Sequence, residues 1–239
     1  MVSSPLCWPG GKSKLKKRII AKIPPHKTYV EPFVGGGSVF FAKPLAEKNV
    51  INDLDKDLIN FYKDLKKNGC KTANTCKLPT TKKQFENLDE KKSCGFIGQV
   101  KTSFGCKRKT FSPNKNSTIN FKKQCGEQQS KLEKTLISNE GFEKVLQENN
   151  KKDTFAYLDP PYIGSEHFFK SKSDASPEKI CSCLKGFKGK FLLSYNDDPR
   201  VKKACAGFKI KKVDTKYEMQ RTKNHNEGKQ IKELLISNY

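Results

Sequence analysis

With 239 residues the chain can bury a substantial core, in one α/β domain carrying an insertion or in two small packed domains. Its 48 Lys and Arg against 25 Asp and Glu give a formal charge of +23, a field that attracts polyanions such as nucleic acid, although 44 of the 48 are Lys and a coding bias shares the credit. Sixteen Phe spread through the sequence argue against disorder, and no apolar run approaches the roughly 20 residues that cross a bilayer.

Met1 to Pro5 lacks the apolar run and cleavage site of a secretory signal, so the expectation is a soluble, intracellular protein that is not secreted. Nine Cys without paired C-x-x-C spacing then read as reduced, free thiols rather than a zinc site. His26, His167 and His225 are too scattered for a metal centre, and no metal is expected.

The first motif is Trp8-Pro9-Gly10-Gly11-Lys12, which holds the only Trp. An indole face attracts a cation such as a sulfonium by about 0.5–2 kcal/mol, and Lys12 could pair with a carboxylate; a Trp buried in a glycine turn is the simpler reading of this stretch alone. From Lys27 the pattern alternates: strand Thr28-Tyr29-Val30, turn Gly35-Gly36-Gly37, helix Val39 to Ala46, strand Val50-Ile51, helix Leu54 to Leu65. Such alternation predicts a parallel sheet with crossover helices. Glu31 to Gly37 ends the first strand with three glycines, which permit positive φ and close approach of a ligand. It lacks the Gly-Lys-Ser/Thr ending of a triphosphate loop. At the end of the next strand, Asp53 is placed to accept hydrogen bonds from two ribose hydroxyls, with Asp55 as the alternative helix cap.

Residues 68–130 lose the pattern and carry 13 basic side chains against 4 acidic, a local excess that points to a DNA-facing surface. Phe85, Phe96, Ile97, Phe104, Phe111 and Phe121 suggest that this insertion packs as a small unit. Arg108 is its only Arg. Arg pairs in bidentate fashion with guanine, for about 1–3 kcal/mol of discrimination, which makes Arg108 a candidate base contact; a phosphate contact beside Lys107 and Lys109 is an equal alternative.

The alternation resumes with a helix around Phe142 to Leu146 and the apolar strand Phe155 to Leu158, which ends in Asp159-Pro160-Pro161-Tyr162. Two prolines stiffen the backbone and remove two N–H donors. The Asp159 carboxylate and the Pro160 carbonyl can then accept both hydrogens of an exocyclic amine and favour a pyramidal, nucleophilic nitrogen. Tyr162 offers a face on which an extruded base stacks. A plain strand-ending turn fits the tetrapeptide alone, but the carboxyl end of a sheet strand is where α/β folds bind ligands. Helices near Ser176 to Leu184 and Pro199 to Cys205, and strands at Phe191 to Tyr195, Phe208 to Val213 and Ile231 to Ser237, complete the chain.

In this order the motifs resemble the Dam-class adenine-N6 DNA methyltransferases, in the manner of phage and viral members. The resemblance implies a doubly wound, Rossmann-like α/β methyltransferase sheet formed by residues 1–67 and 131–239, with 68–130 as a target-recognition domain. It further implies transfer of a methyl group from S-adenosylmethionine to the N6 of a flipped adenine in double-stranded DNA, in a GATC-like site. Asp159, Pro160 and Tyr162 would be catalytic, and Trp8, Lys12, Phe33, Gly35, Gly37, Asp53 and Asp159 would bind the cofactor. Ile137-Ser138 resembles the family's contact to the cofactor's adenine. Ser103 to Lys107 is similar to a Ser-Phe-Gly-Gly-Lys run of phage-type members, with Cys106 in place of a glycine. The chain is expected to act as a monomer, and any restriction-modification role would need a separately encoded endonuclease. The same amine chemistry also fits methylation of cytosine N4 or of RNA, and a DNA-binding relative without catalysis is the remaining alternative.

Overall fold

Strand positions in this chain alternate between two apolar faces, and the fold follows from covering both. The computed structural model describes residues 1–113, 117–165, 174–216 and 230–239. Seven strands, β1 (Thr28–Glu31), β2 (Lys48–Asn52), β3 (Leu136–Ser138), β4 (Thr154–Leu158), β5 (Lys190–Asn196), β6 (Lys209–Lys216) and β7 (Gln230–Ser237), form one sheet of order β3-β2-β1-β4-β5-β7-β6. The first five strands of that order run parallel, while β7 is antiparallel to both β5 and β6.

Along β4, Phe155 and Tyr157 enter one core and Ala156 and Leu158 the other; along β5, Leu192 faces the first and Phe191, Leu193 and Tyr195 the second. A period of two with both faces apolar is what a sheet covered on both sides requires. The first face is covered by α1 (Lys16–Ile20), α2 (Ser38–Ala42) and α3 (Lys56–Asn68), the second by α8 (Phe142–Glu148), α9 (Pro177–Lys185) and α10 (Pro199–Ala204). Helix α2 is shorter than the sequence predicts. Pro44 disfavours helical backbone at the residue before it, and Lys43 is extended, with ψ 157°. Strand β3 does not show in the sequence pattern because it has three residues on a sheet edge, with Leu136 exposed.

The inserted region is helical: α4 (Cys70–Thr75), α5 (Lys82–Glu86), α6 (Ser93–Lys101), a 3₁₀ turn at Phe104–Cys106 and α7 (Ser117–Glu133). Phe96, Ile97, Val100, Cys125 and Leu132 join Phe61, Tyr62 and Leu65 of α3 in the first core, so this layer is continuous with the sheet domain. Phe85 is also buried, but Phe104 is 59% exposed, and the side chain of Phe121 lies outside the described residues.

The expectation of free thiols is corrected by the fold. Cys7–Cys106, Cys70–Cys125, Cys76–Cys94 and Cys181–Cys205 are disulfides, and Cys183 is the free cysteine. Partners 18 to 99 residues apart in sequence stand with their Cα atoms 4.9–6.0 Å apart, a proximity that spacing along the chain does not reveal. Among the described residues no helix is long and apolar enough to cross a membrane.

Candidate active site

Because β2, β1 and β4 are adjacent and parallel, the segments that follow them emerge side by side at one edge of the sheet. These are Asn52-Asp53, Pro32 to Gly37 and Asp159 to Tyr162. The order of strands reverses between β1 and β4, the place where open α/β sheets form their ligand crevice. His26 precedes β1, at the opposite end of the strand, and His167 and His225 lie outside the described residues.

The glycine loop needs its glycines for two reasons. Gly35 and Gly37 have φ of +46° and +69°, and the Trp8 indole lies so close that a Cβ on Gly35 would sit 2.6 Å from its Cδ1. A Cβ on Gly37 would meet the Phe41 ring at 2.8 Å. The Gly35 N–H donates to Asp53 Oδ2 at 2.9 Å, the Asp55 N–H donates to Asp53 Oδ1 at 3.0 Å, and the Tyr62 hydroxyl donates to the Gly35 carbonyl at 2.7 Å. Asp55, not Asp53, caps α3 by accepting from the Asp57 and Leu58 N–H groups. Burial raises the Asp53 carboxyl to about 6. Phe33 stands beside the loop with its ring 5.3 Å from that of Phe142.

Asn52 is a residue whose role the sequence does not disclose. Its amide donates to the carbonyls of Pro32 and Glu140, and its oxygen accepts from the Ser138 hydroxyl and the Glu140 N–H, all within 2.8–3.0 Å. One buried side chain thereby ties together the ends of β1, β2 and β3. Ser138 is part of this clamp.

At the end of β4, Asp159 faces Lys12. The Lys12 ammonium lies 2.8 Å from Asp159 Oδ1, donates to the Gly10 carbonyl at 2.8 Å and sits 4.6 Å from the centre of the Tyr162 ring. The sequence suggests a cofactor carboxylate as the partner of Lys12; its partner in the structure is Asp159. Tyr162 donates its hydroxyl to the buried Glu233 on β7 at 2.9 Å and stacks on Tyr195, with centroids 5.5 Å apart and planes at 19°. Burial raises the Asp159 carboxyl to about 6 against the pull of Lys12. Beneath it, burial raises Glu31 to about 8, although the Tyr29 hydroxyl donates to it at 2.7 Å.

Arg108 requires a correction. Its side chain is 6% exposed, paired with Asp55, 3.8 Å from Asp57, and enclosed by the rings of Trp8 and Phe96 at 5.5 and 5.1 Å. A guanidinium closed between two carboxylates and two aromatic rings has no edge to present to a base in a groove. Lys109 is exposed and Lys107 half-exposed on the same loop, and Phe104, counted from sequence as core, stands in solvent beside them.

Comparison with known proteins agrees with this geometry. The family model described as D12 class N6 adenine-specific DNA methyltransferase matches residues 8–105 and 96–219. Over 98% of both chains, the sequence is 29% identical to the type II methyltransferase M.MjaIII of Methanocaldococcus jannaschii. It is 24% identical to M.CviBI of Paramecium bursaria Chlorella virus NC1A over 97% of this chain and 98% of that one. A shorter match, 46% identical over 61 residues, covers 26% of this chain and 22% of a DNA adenine methylase of Vibrio cholerae. With the family's pattern running through both halves of the sheet, this chain belongs to the D12 class of N6 adenine-specific DNA methyltransferases.

Proposed function

We propose that the cluster at the end of β4 is the catalytic centre, in which Asp159 and the Pro160 carbonyl accept the two N6 hydrogens of an adenine extruded from duplex DNA, and Tyr162 stacks on that base. The observation that carries this reading is the placement of Asp159, held by Lys12 and flanked by Tyr162, beside the glycine loop of the neighbouring strand. The N6 lone pair, normally delocalised into the ring, is localised on nitrogen when both hydrogens are accepted. Above about pH 6 Asp159 is ionised and able to accept.

The methyl donor of this class of enzyme is S-adenosylmethionine, and the residues present fit it. The loop at Gly35 and Gly37 packs so closely on Trp8 and Phe41 that no side chain of its own covers its backbone, Asp53 offers a carboxylate pinned by two N–H groups, and Trp8 and Phe33 supply aromatic surface. Trp8, Lys12, Phe33, Gly35, Gly37, Asp53 and Asp159 would hold it. When bound, it supplies an electrophilic methyl group on a cationic sulfur. The chain's own residues bind and orient both partners, and Asp159 is placed to hold the proton that N6 gives up.

The basic layer of 68–130 is proposed as the target-recognition surface, with Lys107 and Lys109 against phosphates. A monomer acting on a GATC-like site, with any cognate endonuclease a separate protein, completes the reading. The test is to express the chain in cells lacking adenine methylation and sequence their DNA for N6-methyladenine, with Asp159→Ala as control. Methylated adenines in one sequence context, absent from the Asp159→Ala strain, are expected. An unmodified genome, or methyl groups on cytosine N4, would overturn the assignment.

A further inference from the structure

Three of the four residues from Gly105 to Arg108 hold left-handed backbone: Gly105 at φ +59°, Cys106 at +61° and Arg108 at +60°. For Cys106 and Arg108, the two non-glycine residues with positive φ among those described, this conformation is unfavourable and persists only where surrounding structure enforces it. Both are anchored to residues beside the glycine loop. Cys106 is bonded to Cys7, the neighbour of Trp8. Arg108 reaches Asp55 and Asp57 at the start of α3, and its backbone N–H donates to the Ser103 hydroxyl at 2.9 Å.

From Arg108 two short routes lead to the same loop. The first runs through Asp55, whose N–H holds Asp53 Oδ1, while Asp53 Oδ2 holds the Gly35 N–H. The second runs through the Trp8 indole, which lies under the guanidinium and against Gly35. We propose that Arg108 is a positioning residue for the S-adenosylmethionine site: from within the inserted layer it fixes Trp8 and the Asp55–Asp53 turn against the glycine loop and thereby sets cofactor affinity. The proposal rests on the assignment of Asp53 and Trp8 to cofactor binding. Its physical basis is the enclosure of the guanidinium. The guanidinium hydrogen-bonds Asp55, lies 3.8 Å from Asp57 and is flanked by two aromatic rings, a slot for a planar, permanently charged group that a point-charge ammonium does not replace.

Arg108→Gly removes the fork while suiting the left-handed backbone, so the loop keeps its path. Titration of the full-length protein with S-adenosylmethionine by calorimetry, in the absence of DNA, should show binding weakened about tenfold or more. In steady state, KM for S-adenosylmethionine should rise by a similar factor while kcat at saturating cofactor and KM for DNA hold. A residue that only supports the fold would lower thermal stability without moving the cofactor KM, and a phosphate contact would raise KM for DNA instead. Cofactor binding within twofold of wild type overturns the proposal. Should Arg108→Gly fail to fold, as judged by circular dichroism, Arg108→Lys decides: binding weakened about threefold or more supports the role, and wild-type binding rejects it. Asp53→Ala separates the two levels of inference. Unchanged binding in Asp53→Ala refutes the cofactor site itself, whereas lost binding there with wild-type behaviour of the Arg108 variant refutes this proposal alone.

Discussion

Lys12 Nζ lies 2.8 Å from Asp159 Oδ1, with side chains 2% and 17% exposed, so the carboxylate at the end of β4 is held by a cation from the amino-terminal segment. Burial raises the Asp159 carboxyl to about 6 and Lys12 opposes that rise. Protonated Asp159 is a weaker acceptor and cannot take the proton that N6 gives up, so kcat/KM is expected to fall as pH drops through about 6. Lys12→Met removes the opposing charge, which moves this acid limb to higher pH and lowers kcat/KM at pH 7 by about tenfold for each pH unit that the limb lies above 7. Rate profiles from pH 5.5 to 9 check it, and an unmoved limb in Lys12→Met would show that the pair does not tune Asp159.

Tyr162 joins two functions that substitutions can separate. Its ring lies on Tyr195 and its hydroxyl donates to the buried Glu233. Tyr162→Phe keeps the stacking face but leaves a buried acceptor short of one donor, at a cost of about 1–3 kcal/mol that falls on stability and positioning. Its single-turnover rate is expected within about tenfold of wild type. Tyr162→Ala removes the face as well and should cost a further tenfold or more, since stacking of a base on an aromatic ring contributes about 1–3 kcal/mol. Equal rates for the two variants would argue that the ring does not receive the base.

The grouping of the candidate site residues is legible in sequence where chemistry and chain position coincide. Asp53 and Asp159 follow apolar strands, and Gly35 and Gly37 open a helix, so strand order alone brings them to one edge. Arg108 eludes the sequence because composition reports charge but not direction: a lone Arg among lysines fits a DNA contact, whereas Asp55 and Asp57 enclose it in the fold. Asn52 is hidden in the sequence because its four hydrogen bonds reach two segments distant along the chain, at Pro32 and at Ser138 to Glu140. The antiparallel insertion of β7 between β5 and β6 is likewise a pairing choice that no local pattern encodes.

Glu31 gives stability a pH dependence of definite sign. Burial raises its carboxyl from 4.5 to about 8. The folded protein therefore keeps a proton that the unfolded chain releases, and this contribution is complete below pH 4.5 and lost as pH rises through 8. Asp53 and Asp159 act in the same direction but are exhausted near pH 6, while Lys43 and Lys101, each lowered by burial to about 8, act with the opposite sign as pH approaches 8, so the Glu31 slope is read between pH 6.5 and 7.5. Urea midpoints should fall from pH 6.5 to 7.5, by at most about 1.4 kcal/mol per pH unit for one proton. Glu31→Gln, which still accepts from Tyr29, should flatten that slope; a slope as steep as wild type would place the proton elsewhere.

Three of the four disulfides bind the inserted layer, and they differ in the length of chain they close. Cys7–Cys106 spans 99 residues and Cys76–Cys94 spans 18. A cross-link that closes more chain removes more freedom from the unfolded state, so in the chain-entropy account the first should contribute about 1.5 kcal/mol more than the second. Each is expected to contribute about 2–4 kcal/mol, and for a domain of this size 1 kcal/mol moves Tm by about 2–4 °C. The paired substitution Cys7→Ser with Cys106→Ser should therefore lower Tm more than Cys76→Ser with Cys94→Ser. Dithiothreitol should lower the wild-type Tm further than either pair does. Calorimetric scans of the three proteins with and without reductant test the order. Loss of the long bridge that costs no more than loss of the short one would mean that the amino-terminal segment stays on the inserted layer without its covalent tie, through Arg108 on Trp8 and the hydrogen bonds of Ser3 with Gln124 and Gln128.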